Sequence, residues 1–142
     1  MSTIQEIQED IISNFELFDD WDDKYAYIIE LGKKLPVLDT TDKTDDNIIR
    51  GCQSLVWMTS RLIDHKVHYY AESDAIIVKG LVSLLLRVYS GSSPDEILGA
   101  EPYFMERIGM QKHLSMTRSN GLVSMIKTIK IHALAYQTKL AQ

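Results

Sequence analysis

The chain has little cysteine, little proline and, past Glu106, no acid at all: one Cys and three Pro stand among 142 residues. A single thiol, Cys52, excludes an intramolecular disulfide. It also excludes, within one chain, the multi-thiolate sites that hold structural zinc or iron–sulfur clusters. Histidine is sparse too. His65, His68, His113 and His132 show no H-E-x-x-H or other paired-ligand spacing, and His65 and His68 fall in an expected hairpin, so no metal site is expected. No apolar run approaches the ~18 residues of a membrane span. The opening residues, Met1 to Glu6, carry an acid where a signal peptide carries bases, and they lack an apolar stretch. A cytoplasmic location without membrane contact is expected.

Charge is unevenly placed. Residues 1–46 hold thirteen acids and four bases, residues 47–111 seven acids and six bases, and residues from 112 onward five bases and no acid. A net charge of −5 without basic clusters interleaved with aromatics argues against nucleic acid as a partner. The asymmetry reads either as solvated helix faces that complement one another or as a docking surface that steers a partner protein.

What is present is the composition of an ordinary globular protein, with 45% apolar and 25% charged residues. Repeats, low-complexity stretches and Gly/Ser linkers are lacking, so a single domain over residues 1–142 is expected. Ile4, Ile7, Ile11, Ile12 and Phe15 form one stripe of a helix over Ile4–Phe18, with Ser2 or Thr3 as cap and Gln5 or Glu6 at the box position. A second helix, Trp21–Lys34, is capped by Asp20, buries Trp21, Tyr25, Ile28 and Leu31, and stops before Pro36. Residues 37–46 have no periodicity and read as a surface loop. An edge strand at Asn47–Arg50, a long strand at Leu55–Ile63, a turn at Asp64–Lys66 and a strand at Val67–Ala71 follow. Ser73 or Asp74 then caps a helix over Ala75–Tyr89 that Gly91 ends. Ser93-Pro94-Asp95-Glu96 starts a short helix ending near Gly99. Another short helix spans Pro102–Ile108 and stops at Gly109. The last runs from near Thr117 to about Lys139 with Leu122, Met125, Ile129, Ala133 and Tyr136 inward. The fold class is α+β, a small three-stranded antiparallel sheet packed by several helices.

Cys52 sits in Arg50-Gly51-Cys52-Gln53-Ser54, between two expected strands. Such a cysteine is either a small buried hydrophobe or a reactive thiol. Gly51 permits positive φ, and Gln53 and Ser54 are polar, so the setting is a turn, where functional groups concentrate.

The stretch Gly51-Cys52-Gln53-Ser54-x-Val56-Trp57 resembles the signature of SufE-type proteins, which assist iron–sulfur cluster assembly. Tyr25 with Ile28-Ile29-Glu30-Leu31-Gly32-x-x-Leu35-Pro36 resembles the family's upstream block. Ser73-Asp74-Ala75-x-Ile77-Val78-x-Gly80-Leu81 resembles its central block, and Leu114-Ser115-x-x-Arg118-x-Asn120-Gly121-Leu122 its last. The resemblance spans roughly residues 15–130; the first dozen residues and the 39–46 loop carry no family signal. It implies an IscU-like fold. It further implies that Cys52 accepts persulfide sulfur from a type II cysteine desulfurase (SufS- or CsdA-like), stimulates it, and passes sulfur to a SufBCD scaffold complex. The resemblance also places the pyridoxal phosphate on the desulfurase, which implies a chain without a cofactor of its own that acts as a carrier rather than an enzyme.

In thiol exchange the Cys52 thiolate attacks the outer sulfur of the donor persulfide, which requires access. The resting loop is therefore expected to tuck Cys52 into an apolar pocket and expose it on docking. Gly51, Gln53 and Ser54 support the thiol. Arg118 either stabilises an anionic sulfur or pairs with an acid. Asp74 reads as a helix cap ahead of a functional acid, Asn120 and Gly121 shape the start of the last helix, and Trp57 is core. Two rivals stand beside the carrier: a stand-alone cysteine-nucleophile enzyme, which needs a base near the thiol, and an interaction module with an inert cysteine. A monomer or weak homodimer is expected.

Overall fold

The first helix begins where a threonine meets a glutamate three residues on. Thr3 Oγ1 accepts from Glu6 N and Glu6 Oε1 accepts from Thr3 N, closing a capping box at the start of α1, Ile4–Glu16. The computed structural model describes residues 3–141, with all their side chains but those of Gln111, Met116 and Thr117; Ser2, the alternative cap, lies outside the described residues. Asp20 caps α2, Trp21–Lys33, by accepting from Asp23 N. Two 3-10 turns, Thr40–Asp42 and Asp45–Asn47, punctuate the following loop. Then come β1, Val56–Ile63, and β2, Lys66–Ser73, followed by α3, Ile76–Tyr89; α4, Pro94–Leu98; α5, Phe104–Arg107; and α6, Met116–Leu140. Among the described residues no helix is long and apolar enough to cross a membrane.

The sheet is two-stranded rather than three-stranded. β1 and β2 pair antiparallel from Val56↔Ser73 to Ile63↔Lys66. Their connection is the two residues Asp64 and His65, at φ 53° and 64°. Two consecutive left-handed residues make the turn whose twist matches a hairpin, which leaves Lys66 in the strand. The edge strand expected at Asn47–Arg50 shrinks to one bridge, Ile48↔Trp57, with Ile49 N donating to Val56 O. The 3-10 turn on one side and Gly51 at φ 92° on the other leave only Ile48 and Ile49 extended. Trp57 is also not core. Inner positions of β1 are Val56 and Met58, so Trp57 points outward, where Lys43 lies over its ring while pairing with Glu72.

α3 is the central helix. Ile77, Val78, Leu81, Val82, Leu84, Leu85, Val88 and Tyr89 are all buried, and the helix touches α1, α2, β2 and α6. Burying each large aliphatic side chain is worth roughly 1.5–3 kcal/mol, so this helix anchors the rest. α2 crosses it backbone to backbone. A Cβ on Gly80 would lie 2.2 Å from the carbonyl oxygen of Ile28, and one on Gly32 would lie 2.7 Å from Gly80 N. α3 lacks a side-chain cap; its N-cap position is Ala75. The expected caps are occupied elsewhere: Ser73 Oγ donates to Leu55 O, and Asp74 Oδ1 accepts from Leu55 N.

α6 closes the core with Leu122, Met125, Ile129 and Ala133. It is tied to the hairpin by a polar cluster. Ser60 Oγ and His132 Nδ1 lie 2.6 Å apart, Tyr136 donates to Ser60 O, and Tyr69 donates to Ile129 O while its ring stacks on His132. Burial holds the His132 pKa below its ordinary 6.5.

Gly80→Ala is expected to lower stability by about 1–3 kcal/mol or more in urea unfolding, because backbone cannot yield as a side chain can; an unchanged midpoint would refute the close crossing. His132 is depressed in the fold, so its contribution is present above pH 6.5 and is lost as pH falls through the folded pKa. His132→Gln should therefore flatten the acid limb of stability measured between about pH 7 and 4.5. Equal limbs would show that the imidazole plays no such part.

Candidate functional site

The loop bearing the only thiol is fastened at both ends and open between. At its start, Ile49 N donates to Val56 O at 2.8 Å. At its end, Leu55 is tied on both backbone groups: its N–H to Asp74 Oδ1 at 3.0 Å, its carbonyl to Ser73 Oγ at 2.8 Å and to Asp74 N at 3.2 Å. Among the described residues, positions 50–54 make no backbone–backbone hydrogen bond. Gly51 turns the chain at φ 92°, a conformation that favours glycine, and brings it to within 2.6 Å, measured from an added Cβ, of Ser124 Oγ on α6.

Cys52 is thereby laid on α6, half-buried. Its Sγ donates weakly to the carbonyl of Gly121 at 3.6 Å, and a Cβ on Gly121 would lie 3.4 Å from that sulfur. Gly121 is inside α6, in its second turn, not at its approach. A glycine within a helix is destabilising by about 1 kcal/mol relative to alanine, which marks such a position for close contact. The expectation for this residue missed that signal.

Around the thiol is an open cavity of about 350 Å³. Val78 and Leu81 from α3 and Met125 from α6 supply its apolar lining; Gln53, Ser54 and Arg118 supply its polar lining. Three expected residues are thus brought to Cys52. Gly51 contacts α6 beside it, and Asp74 holds the end of the loop without lining the cavity. Asn120 is exposed and outside the lining; its carbonyl accepts from Ser124 Oγ. Among the described residues Arg118 makes no ion pair. It lies in the first turn of α6, where no acid stands, so two positive features coincide: the guanidinium and the helix N-terminus.

Burial pushes the Cys52 thiol pKa up, above the ~8.5 of a free thiol. At neutral pH the resting group is a protonated, weakly nucleophilic thiol. Among the described residues the lining holds neither imidazole nor carboxylate. His113 stacks on Trp21 with ring centroids 4.0 Å apart. Among the described residues no group of three or more His, Cys, Asp and Glu is placed to hold a metal ion.

Comparison with known proteins converges on one family. A family model described as "SufE: Fe-S metabolism associated domain" matches residues 9–133. An uncharacterised SufE-like protein of Rhizobium meliloti (strain 1021) is 40% identical over 130 residues, covering 88% of this chain and 93% of its own. One from Rhizobium etli is likewise 40% identical over 130 residues, covering 88% of each chain. In three dimensions the chain is similar to a hypothetical protein from Thermus thermophilus solved in solution. That TM-score is 0.77 at 19% identity, over 93% of this chain and 96% of that one, a likeness of fold alone. With most of its length matched and its relatives so described, this chain belongs to the SufE family of Fe–S metabolism-associated proteins.

Proposed function

We propose that the protein is a persulfide carrier that acts in the cytoplasm. Cys52 accepts the outer sulfur of a persulfide held by a type II, pyridoxal phosphate-dependent cysteine desulfurase of SufS or CsdA type, and hands it to a SufBCD scaffold complex for iron–sulfur cluster assembly. Turnover of the desulfurase is stimulated because its product sulfur is removed.

The observation that carries this reading is the state of the Cys52 loop: a half-buried thiol held by one weak Sγ–H contact to Gly121 O, on a segment whose firm hydrogen bonds lie at its two ends. A segment so held opens at low free energy. Closed, the thiol is protonated and the sulfur it would carry is shielded by Val78, Leu81 and Met125. Opened, the thiol regains water, its pKa falls towards the ordinary value, and the thiolate attacks. The donor's outer S–S bond breaks as the new S–S bond forms, the donor cysteine leaves as thiolate, and no external oxidant is needed. Arg118 and the α6 N-terminus place positive potential beside the anionic persulfide that results.

The enzyme rival requires a base within hydrogen-bond reach of the thiol, and it is separated by experiment: a hydrolase would act on a substrate with no desulfurase present. So is the inert-module rival. Incubated with a cognate desulfurase, pyridoxal phosphate and cysteine, the protein should gain one sulfur atom on Cys52 by intact mass without reductant. Cys52→Ser should gain none while still binding the desulfurase in a pull-down. Unchanged cluster supply from the Cys52→Ser protein in cells lacking a substitute would defeat the proposal.

Access is tested separately. At neutral pH iodoacetamide should modify Cys52 at least ~10-fold more slowly than an unstructured peptide thiol, because burial disfavours the thiolate. Asp74→Ala frees Leu55 N–H. Loss of a hydrogen bond of about 0.5–1.5 kcal/mol should raise the rate roughly 2- to 10-fold. A rate insensitive to Asp74 would mean that this tie does not govern opening.

A further inference from the structure

The hairpin and the loop after α2 enclose a second cavity, of about 220 Å³, which shares no lining residue with the one at Cys52. Leu35, Leu38, Ala71 and Leu86 are among its apolar lining. Its charged lining comes from two walls: Arg61, beside Tyr70, from the hairpin, and Asp39 and Asp42 from the loop. The loop has a fixed course at this point. Leu38 N donates to Glu72 Oε1 on β2, and Lys43 pairs with the same carboxylate. The residues between, which include both aspartates, are thereby held against the hairpin.

Opposite charges lining one small cavity would be expected to close on each other, yet here each is held on its own wall. The Arg61 guanidinium lies over the Tyr70 ring, 5.6 Å from its centroid. Asp39 Oδ1 accepts from Thr41 N and from Thr41 Oγ1, each at 3.0 Å. Those bonds, with the field of Arg61 adding to them, hold the Asp39 carboxyl below the usual carboxylate range. Among the described residues Arg61, Asp39 and Asp42 make no ion pair. The guanidinium and the two carboxylates face one cavity with a gap between them.

What fills that gap must carry both signs. A lone anion would meet two carboxylates and a lone cation the guanidinium, so either leaves one wall opposed to it. It must also be small, since pockets for drug-sized ligands begin at about 300 Å³. A carboxylate is the group that a guanidinium grips through two parallel hydrogen bonds. An ammonium, with its three donors, suits a pair of carboxylates.

We propose that this cavity binds a free α-amino acid, its carboxylate on Arg61, its ammonium on Asp39 and Asp42, and a small side chain against the apolar lining. Both walls are set before the ligand arrives, so little ordering cost opposes binding. Arg61 rests on Tyr70 already, and a planar fork held in place loses little freedom on pairing. Under the carrier reading the partner desulfurase consumes cysteine, so a ligand of this class is at hand where the protein works. The site itself does not depend on that reading.

The test is a titration of the isotope-labelled full chain with L-alanine, followed through amide chemical shifts. L-Alanine should give saturable shifts confined to the 35–42 segment and to the hairpin about Arg61 and Tyr70. N-Acetylalanine lacks the ammonium and alanine methyl ester lacks the carboxylate. Each should bind at least about 10-fold more weakly, the scale of a lost charge-assisted hydrogen bond. Arg61→Ala and Asp39→Asn should each weaken L-alanine by the same order. Asparagine keeps the oxygen that accepts from Thr41, so the loop is retained, and amide shifts away from the cavity should match the wild type. Shifts that never saturate, blocked analogues that bind as well as L-alanine, or variants that bind it unchanged would each overturn the assignment. Sulfur loading of Cys52 is read by mass in the same preparations, so failure of the carrier reading and failure of this site are told apart.

Discussion

The two backbone groups of Leu55 hold the arrangement together. Both are taken by the Ser73–Asp74 junction, where β2 hands the chain to α3. That junction is itself fixed by the most buried helix of the molecule. The thiol loop therefore leaves from a rigid point, and only the residues between Ile49 and Leu55 have freedom. A more distant anchor would let the loop wander; a closer one would leave no slack for Cys52 to come away from Gly121. The same tie explains why Asp74 does not cap α3. Its carboxylate has one geometry to satisfy, and the loop takes it.

Two kinds of sequence information behaved differently. Signals complete within four residues were legible: the capping boxes Thr3/Glu6 and Ser93/Glu96, proline at the first position of α4, and Gly91 at φ 89° after α3. Each is satisfied by near neighbours, so distant structure leaves it alone. Meanings that depend on remote partners were not legible. Gln8 lies in the apolar stripe of α1 and is buried because its amide bridges Glu101 O and Phe104 N, more than ninety positions away. Trp57 has the composition of a core residue but the parity of an outward one. The third strand had the right residues, yet a positive φ at Gly51 and a 3-10 turn cut it to one bridge.

The candidate site shows the same division. Cys52 and its polar neighbours, with Arg118, were readable from the chain, partly through resemblance to a family now shown to be the right one. The apolar lining was not. Val78, Leu81 and Met125 sit on core faces, and nothing local distinguishes a side chain that fills the interior from one that floors a cavity. Gly121 carried a readable signal in its position, mid-helix and without a turn to serve, because only a close neighbour makes glycine useful there.

The five-residue α4 has a different lesson in it. Its capping box secures the front, but its rear carbonyls, with that of Ala100, are gathered by the Lys130 ammonium, some thirty positions later in the chain. So short a helix has too few internal bonds to persist alone. The segment at 94–100 must then wait for the C-terminal helix to dock before its shape is settled. During synthesis this part of the molecule matures backwards, an early piece being finished by a late one, and a chain cut short before Lys130 would lose order well upstream of the cut.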